Sequence, residues 1–458
     1  MRTRHAFGLL ALLFGASTSQ ADSLNDIYQH ALQNDHSFRA ARAAYEAGLE
    51  NKVIGRAGLL PTITGQVSWE ERESGGGTLQ PRTPEEAAAD GTVISSQSGY
   101  TVNLTQPLFD LAAWHSYSQG KTDGKAASAE FKAAQQNLII RTAEAYFDTL
   151  RAVDNFETAQ AEEKALSHQL EQTKKRFEVG LTAITEVHEA QASFDNAVAN
   201  RLLLEGQVGI SFEALEVITG RSYQYLNPLK PNFPITRPDP QTREAWVEFA
   251  VSNNFGLAAA SLRAESSRQL AKQGSAAHLP SLNANLSIFD TNREIEIGGT
   301  TTSDTDSKGH SIGLTLNVPI FSGGATSAAR RQAAQSYIQA RETYLQTQRD
   351  TIQQARSLHL SVLTDVATVK ARKQAITSSQ SALDATQAGY EVGTRDLVDV
   401  LVSQRALYTA QRNYADTLYT YVLDTLRLKQ VAGLLTEQDI VELDKWLDRT
   451  RQVARVNQ

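Results

Sequence analysis

The sequence predicts an α+β membrane protein in which long coiled-coil helices alternate with bilayer-length β-strands. Three observations carry this fold class: two long tracts without proline, four segments of period-two hydrophobicity, and an internal repeat that returns both in the same order. The eleven prolines fall at 61, 81, 84, 107, 228, 231, 234, 238, 240, 280 and 319, leaving 108–227 and 320–458 free of them. Long proline-free runs rich in Ala, Gln, Glu, Lys, Arg and Leu are the composition of long helices.

The elements follow in chain order. Residues 1–21 read as a cleaved signal peptide: "MRTRH" is a positive start, "AFGLLALLFG" an apolar core, and Ser19-Gln20-Ala21 places small residues where a signal peptidase reads them. Residues 22–226 form a first repeat of helix, β-hairpin and long helical hairpin. Its strands alternate apolar Ile63, Gly65, Val67 and Trp69 with Thr62, Thr64, Gln66, Ser68 and Glu70, and then Tyr100, Val102 and Leu104 with Thr101, Asn103 and Thr105. The polar stretch 71–99 joins them as a loop. A helical tract at 121–178 comes next; at 1.5 Å per residue it spans about 87 Å.

Residues 227–242, which include "NPLKPNFPITRPDP", read as a stiff extended linker. Residues 243–433 form the second repeat. Leu282, Ala284, Leu286 and Ile288 alternate with Ser281, Asn283, Asn285 and Ser287, while Ile312, Leu314, Leu316 and Val318 alternate with Ser311, Gly313, Thr315 and Asn317. A polar loop is expected at 291–309 and a helical tract at 325–391. Residues 434–458 close the chain as a C-terminal segment. Strands of nine or ten residues, apolar on one face and hydrophilic on the other, fit a transmembrane barrel with a wet interior. Four strands cannot close a barrel, because their edges would leave backbone groups unpaired in lipid, so several chains must share one.

The repeat is plainest where "RFEVGLTAITEV" at 176–187 returns as "GYEVGTRDLVDV" at 389–400, an offset of 213 residues. Over 176–220 and 389–433 nine positions are identical, among them Val179/Val392, Gly180/Gly393, Val187/Val400 and Gly220/Gly433. Each "VG" reads as a turn between two long helices. The helix after the first carries a stripe through Ile184, Val187, Gln191, Phe194, Val198, Arg201, Glu205, Val208, Phe212 and Leu215. The helix after the second carries one through Leu397, Val400, Gln404, Leu407, Gln411, Leu418, Tyr421 and Leu428. Both have the narrow seam of a coiled coil.

Composition excludes other classes. Cysteine is absent, which removes disulfides, thiolate metal sites and thiol catalysis. The net charge of −7, or −9 without the two leader arginines, offers no surface for nucleic acid. "GKT" at 120–122 lacks the glycine five places earlier that a phosphate loop requires, and "HEAQA" from His188 has Ala192 where a zinc-binding pair needs its second His. No enzyme, cofactor or metal is expected.

Taken together, the leader, the twofold repeat, the strand hairpins flanked by "LLP" and by "QPLF" or "VPIF", and the run "GYEVGTRDLVDVL" followed by "LTEQDIVELDKWL" resemble the TolC family, the outer-membrane exit ducts of Gram-negative export machines. The resemblance implies a homotrimer with a twelve-stranded barrel in outer-membrane lipid, four strands per chain, continuous with a periplasmic α-helical tunnel. It also implies two partners, a periplasmic adaptor and an inner-membrane pump of ABC or RND type. By the same resemblance, Val179, Gly180, Val392 and Gly393 sit at adaptor-contacting tips. Tyr390 and Arg395 match positions that tie the inner hairpin through an acid, here Glu186, and Asp399 matches one acidic ring of the constriction. The second acidic ring falls at Val402, with Asp396 one turn nearer the tip. Three copies of Asp399 around one axis would repel one another and favour cations.

Two plainer readings stand beside this one. Asp396 and Asp399 also suit the start of a helix, as cap and first-turn acid. A periplasmic coiled-coil scaffold or adaptor without a pore would need the same helices but has no use for bilayer-length strands.

Overall fold

The computed structural model describes residues 22–75, 92–297 and 299–455. The expected leader and the greater part of the expected first loop lie outside the described residues. The first half runs α1 (Leu24–Asn34), α2 (His36–Ala57), β1 (Thr62–Ser74), β2 (Val93–Phe109), α3 (Leu111–Glu178) and α4 (Ile184–Thr219), followed by a short β3 (Tyr225–Leu226). The second half repeats the order: α5 (Arg243–Asn253), α6 (Phe255–Ala276), β4 (Ser281–Ile297), β5 (Thr300–Asn317), α7 (Ala325–Glu391) and α8 (Leu397–Val431). The chain then ends in α9 (Glu437–Asp444) and β6 (Val453–Ala454). Contacts divide the described residues into two compact units, those within Met1–Ala40, Ala133–Asn254 and Thr351–Gln458, and those within Ala41–Lys132 and Phe255–Asp350.

The first unit begins with a capping box, in which the Ser23 hydroxyl accepts from the Asp26 N–H and the Asp26 carboxylate accepts from the Ser23 N–H. That start fixes α1 so that Leu24, Ile27, Tyr28 and Ala31 are buried where it meets α4 and α9. Within the same unit the rings of Phe147 and Tyr419 lie 6.1 Å apart, and the Tyr419 hydroxyl donates to Asp154 at 2.6 Å, joining α3 to α8. The proline-rich segment turns where the Phe233 N–H donates to the Lys230 carbonyl, and it is tethered. Leu229 bridges to Leu447, and the Tyr421 hydroxyl both accepts from the Thr236 N–H and donates to the Thr236 carbonyl. The buried stripe of α8 includes Leu397, Val400, Leu407, Tyr421 and Leu428 as expected. That of α4 is shifted near its start. Ala190 and Ala197 are buried there, whereas Ile184 is 46% exposed, because alanines let the facing helices close where longer side chains would hold them apart.

In the second unit α2 lies against the early part of α3. A Cβ on Gly120 would stand 2.1 Å from the Asn51 carbonyl oxygen, and one on Gly55 2.9 Å from that of Ser116, so both glycines are required by the close approach of two backbones. This accounts for "GKT": it lies inside a helix that starts ten residues earlier than expected, where the Asp110 carboxylate accepts from the Ala113 N–H at 2.9 Å. The strands form one antiparallel sheet in the order β1-β2-β4-β5. They are 13, 17, 17 and 18 residues long, longer than expected. The expected loop at 291–309 is almost all strand. Its polar residues pair across β4 and β5, with the Asn292 amide donating to Asp304 at 3.0 Å and to Asp306 at 2.9 Å. Composition alone had suggested a loop, but cross-strand hydrogen bonds satisfy polar side chains as readily as water does.

Candidate functional site

Two surfaces stand out, one in each unit. The first is the sheet. Paired residues share a face, so the register sorts the side chains. One row reads Ile63, Leu104, Leu286, Ile312; the next row on the same face reads Gly65, Val102, Ile288, His310; a third reads Val67, Tyr100, Asp290, Lys308, with Asp290 and Lys308 ion-paired at 3.2 Å. Leu314 and Leu316 extend this face at the other end. Ile312 is 80% exposed and Val67 87% exposed, so the apolar face has no cover from its own chain. The opposite face over the same span reads Thr64, Asn103, Ser287, Ser311 and then Thr62, Thr105, Asn285, with Gln66, Thr101 and Phe289 beyond. Apart from Phe289 that face is hydroxyl and amide, without a charge. No described helix is long and apolar enough to cross a membrane. Strands β1 and β5 each have one unpaired edge among the described residues.

The second surface is the pair of helix–helix turns in the first unit. Gly180 and Gly393 both adopt φ +77°, a left-handed conformation that an L side chain enters at a cost. At both turns the helix ends in the same way. The Leu181 N–H donates to the Arg176 carbonyl and the Gly180 N–H to Phe177; the Thr394 N–H donates to Gly389 and the Gly393 N–H to Tyr390. The repeated "VG" is thus one C-capping motif used twice, and it leaves Val179 and Val392 exposed at the tips. The helices that follow start differently. The Asp396 carboxylate caps α8 by accepting from the Asp399 N–H at 2.8 Å, whereas Ala183 before α4 supplies no side-chain cap.

Behind the turns the two hairpins share a core of Leu166, Leu170, Ala190, Ala197, Tyr390, Leu397, Val400 and Leu401. Tyr390 is 7% exposed, and its hydroxyl donates to Glu186 Oε2 at 3.1 Å, a bond from the second hairpin to the first. Burial, together with the hydrogen bond to the Glu186 carboxylate, pushes the Tyr390 phenol above its ordinary range. The expected contact of Arg395 with Glu186 is not made within the chain. Its guanidinium lies 3.5 Å from Asp399 on the next turn, since the i,i+4 acid is nearer and Glu186 is already engaged by the phenol. Arg395 remains mostly exposed and Asp399 is half-buried, while Val402, at the position of the second acidic ring, is exposed.

Two contributors were missed in the sequence. A Cβ on Gly389 would lie 2.8 Å from Arg395 Cγ, so this glycine makes room for the Arg395 stem. The Arg176 guanidinium lies over the Tyr390 ring, 4.8 Å from its centroid. A signal for both was the disagreement between the repeats just before their shared Glu-Val-Gly, Arg176-Phe177 against Gly389-Tyr390. Among the described residues no cluster of His, Asp and Glu is arranged to hold a metal.

Comparison with known proteins agrees with this geometry. The profile of the family described as "Outer membrane efflux protein" matches residues 27–221 and 246–434. The chain is 34% identical over 432 residues to the outer membrane protein TolC of Vibrio cholerae, covering 94% of this chain and 95% of that one. It is 29% identical over 440 residues to the alkaline protease secretion protein AprF of Pseudomonas aeruginosa, covering 94% and 90%. Among solved structures, the CmeC outer membrane channel of Campylobacter jejuni superposes with a TM-score of 0.75 at 17% identity, covering 98% of both chains.

Proposed function

The chain belongs to the outer membrane efflux protein family, and from that premise we propose how its parts serve export. It is an outer-membrane channel that provides the exit duct of an export machine. The observation that carries the reading is the two-faced sheet. An uncovered apolar face joined back to back with a hydroxyl and amide face suits a wall between lipid and water, and a scaffold without a pore would have to hide the first face. The open edges of β1 and β5 require further copies to close the wall, and a homotrimer contributing four strands each makes the twelve-stranded barrel of the family.

The finer assignments follow from the tips. Tyr390 and Glu186 form a latch between the two hairpins of one chain, and Arg395, mostly exposed, is free to reach a neighbouring copy. Asp399 with Asp396 lines the narrow end as an acidic girdle that favours cations. Val179, Gly180, Val392 and Gly393 offer an exposed apolar point to a periplasmic adaptor, through which an inner-membrane ABC or RND-type pump supplies the energy. The cargo is polypeptide or small toxic molecules, and likeness to a protease secretion protein favours the former. The role is passage and not catalysis.

The test is single-channel conductance of the purified protein in planar bilayers. Small, cation-preferring currents that grow in Tyr390→Phe, Glu186→Gln and Arg395→Ser establish a tip-gated duct. Folded, inserted protein that never conducts returns the molecule to the scaffold class.

A further inference from the structure

We propose that Arg176 is a positioning residue of the tip latch: it clamps the ring of Tyr390 from the face and so aims the hydroxyl at Glu186. This inference rests on the gate reading above.

The geometry has three parts. First, Arg176 sits in the last turn of α3, and its carbonyl accepts the Leu181 N–H at 2.8 Å, so the capping motif that makes the tip also fixes the backbone from which the side chain starts. Second, its guanidinium lies 4.8 Å from the Tyr390 ring centroid, within the range of a cation held over an aromatic face. Its Nε is buried without a hydrogen-bond partner, so what engages this charge on the tip side is the ring rather than an acceptor. Third, Glu186, the acceptor of the Tyr390 hydroxyl, stands on the same hairpin as Arg176, just beyond the turn. One hairpin thus grips a single residue of the other at two points, a cation on the face and an anion on the rim. The ring already lies in the shared core, and the cation over its face adds a charged contact that favours the orientation in which the hydroxyl meets Glu186.

The sequence agrees with a role specific to this contact. At the repeat offset Arg176 corresponds to Gly389 and Phe177 to Tyr390, so the cation and the phenol occupy neighbouring places in opposite copies. The grip cannot be formed twice, and it ties the first hairpin to the second only in one direction.

The experiment measures planar-bilayer conductance of the full-length protein for Arg176→Met, which keeps stem length and removes the charge. The same change is also made on Tyr390→Leu and Tyr390→Phe backgrounds. Circular dichroism and the heat-resistant oligomer confirm folding, and Arg176→Gln replaces Arg176→Met should the latter fail to assemble. The expected result is a rise in the open-to-closed ratio of between about twofold and thirtyfold per protomer, the span of measured cation–π strengths. That rise vanishes on Tyr390→Phe, which keeps the ring but has no hydroxyl to aim, and on Tyr390→Leu, which has neither; an undiminished rise on Tyr390→Phe would make the ring contact a tie in its own right and overturn the positioning role. An equal rise on Tyr390→Leu would mean that Arg176 acts by some other contact and overturns the proposal. So would an unchanged conductance in Arg176→Met while Tyr390→Leu opens the channel. If Tyr390→Leu and Glu186→Gln are themselves silent, the gate reading falls and this inference with it, an outcome told apart by those two variants alone.

Discussion

At Gly433 the backbone turns left-handed at the end of α8, with φ +70°, and a Cβ there would stand 2.2 Å from the Asn253 carbonyl oxygen. Gly393 has the same handedness but open space around it. Gly393→Ala is therefore expected to cost about 1 kcal/mol, the conformational term alone, and Gly433→Ala about 3 kcal/mol because the clash adds to it. Denaturant unfolding of the two variants side by side checks the ranking. A second residue-scale expectation concerns Asp365 of α7. Its carboxyl is pushed up to about 6 by burial and then by the nearby charge of Asp424, which is itself held by Arg427 at 2.9 Å, and one of its oxygens is buried without a partner. A carboxyl raised in the folded state stabilises the fold below about pH 4, and that contribution is lost as pH climbs through about 6. Asp365→Asn should thus match the wild type in melting temperature near pH 4 and exceed it by a few degrees at pH 7.5. Sequence comparison could bring Tyr390 and Glu186 together, because the resemblance aligned both. It could not find Arg176 or place Arg395 against Asp399, since side-chain direction at a turn depends on cap geometry that residue identity does not encode.

Helices were the most legible elements. Proline-free tracts, the repeated "VG" and the α8 stripe pointed to their location and seam, and only the starts of α3 and the early stripe of α4 were misjudged. Both errors have one cause: small residues and local caps outrank hydrophobic periodicity where backbones approach closely. The strands were recognised by alternation over the apolar band and lost where alternation becomes polar on both faces, as in the outer part of β4 and β5. The register now gives a sharp contrast. Ile312 and Ser311 are neighbours on β5, yet they face opposite sides of the sheet. Ile312→Arg should cost about 2–4 kcal/mol and abolish the heat-resistant oligomer in outer-membrane fractions, whereas Ser311→Arg should assemble normally and shift ion selectivity toward anions.

At the scale of the whole molecule the proposed assembly is the point to test. Among the described residues the sheet has two open edges, its apolar face is bare, and the tips end in exposed valines. The sequence carries no cysteine, so a pair introduced at the edges reports without background. Ser68→Cys on β1, combined in turn with Ser307→Cys and Ser311→Cys on β5, should yield intermolecular disulfides in the register where the two edges meet. The ladder should stop at three chains if the wall closes as a trimer and run further if it does not. The inner face of that wall bears on what moves along it. A surface of threonine, serine and asparagine presents many weak, interchangeable hydrogen bonds and no fixed charge across the apolar band, so a travelling chain of either sign meets no deep well in which to stall. In mechanical terms the barrel is a bearing: it offers low friction to anything narrow enough to enter, and leaves the choosing of passengers to the machinery beneath.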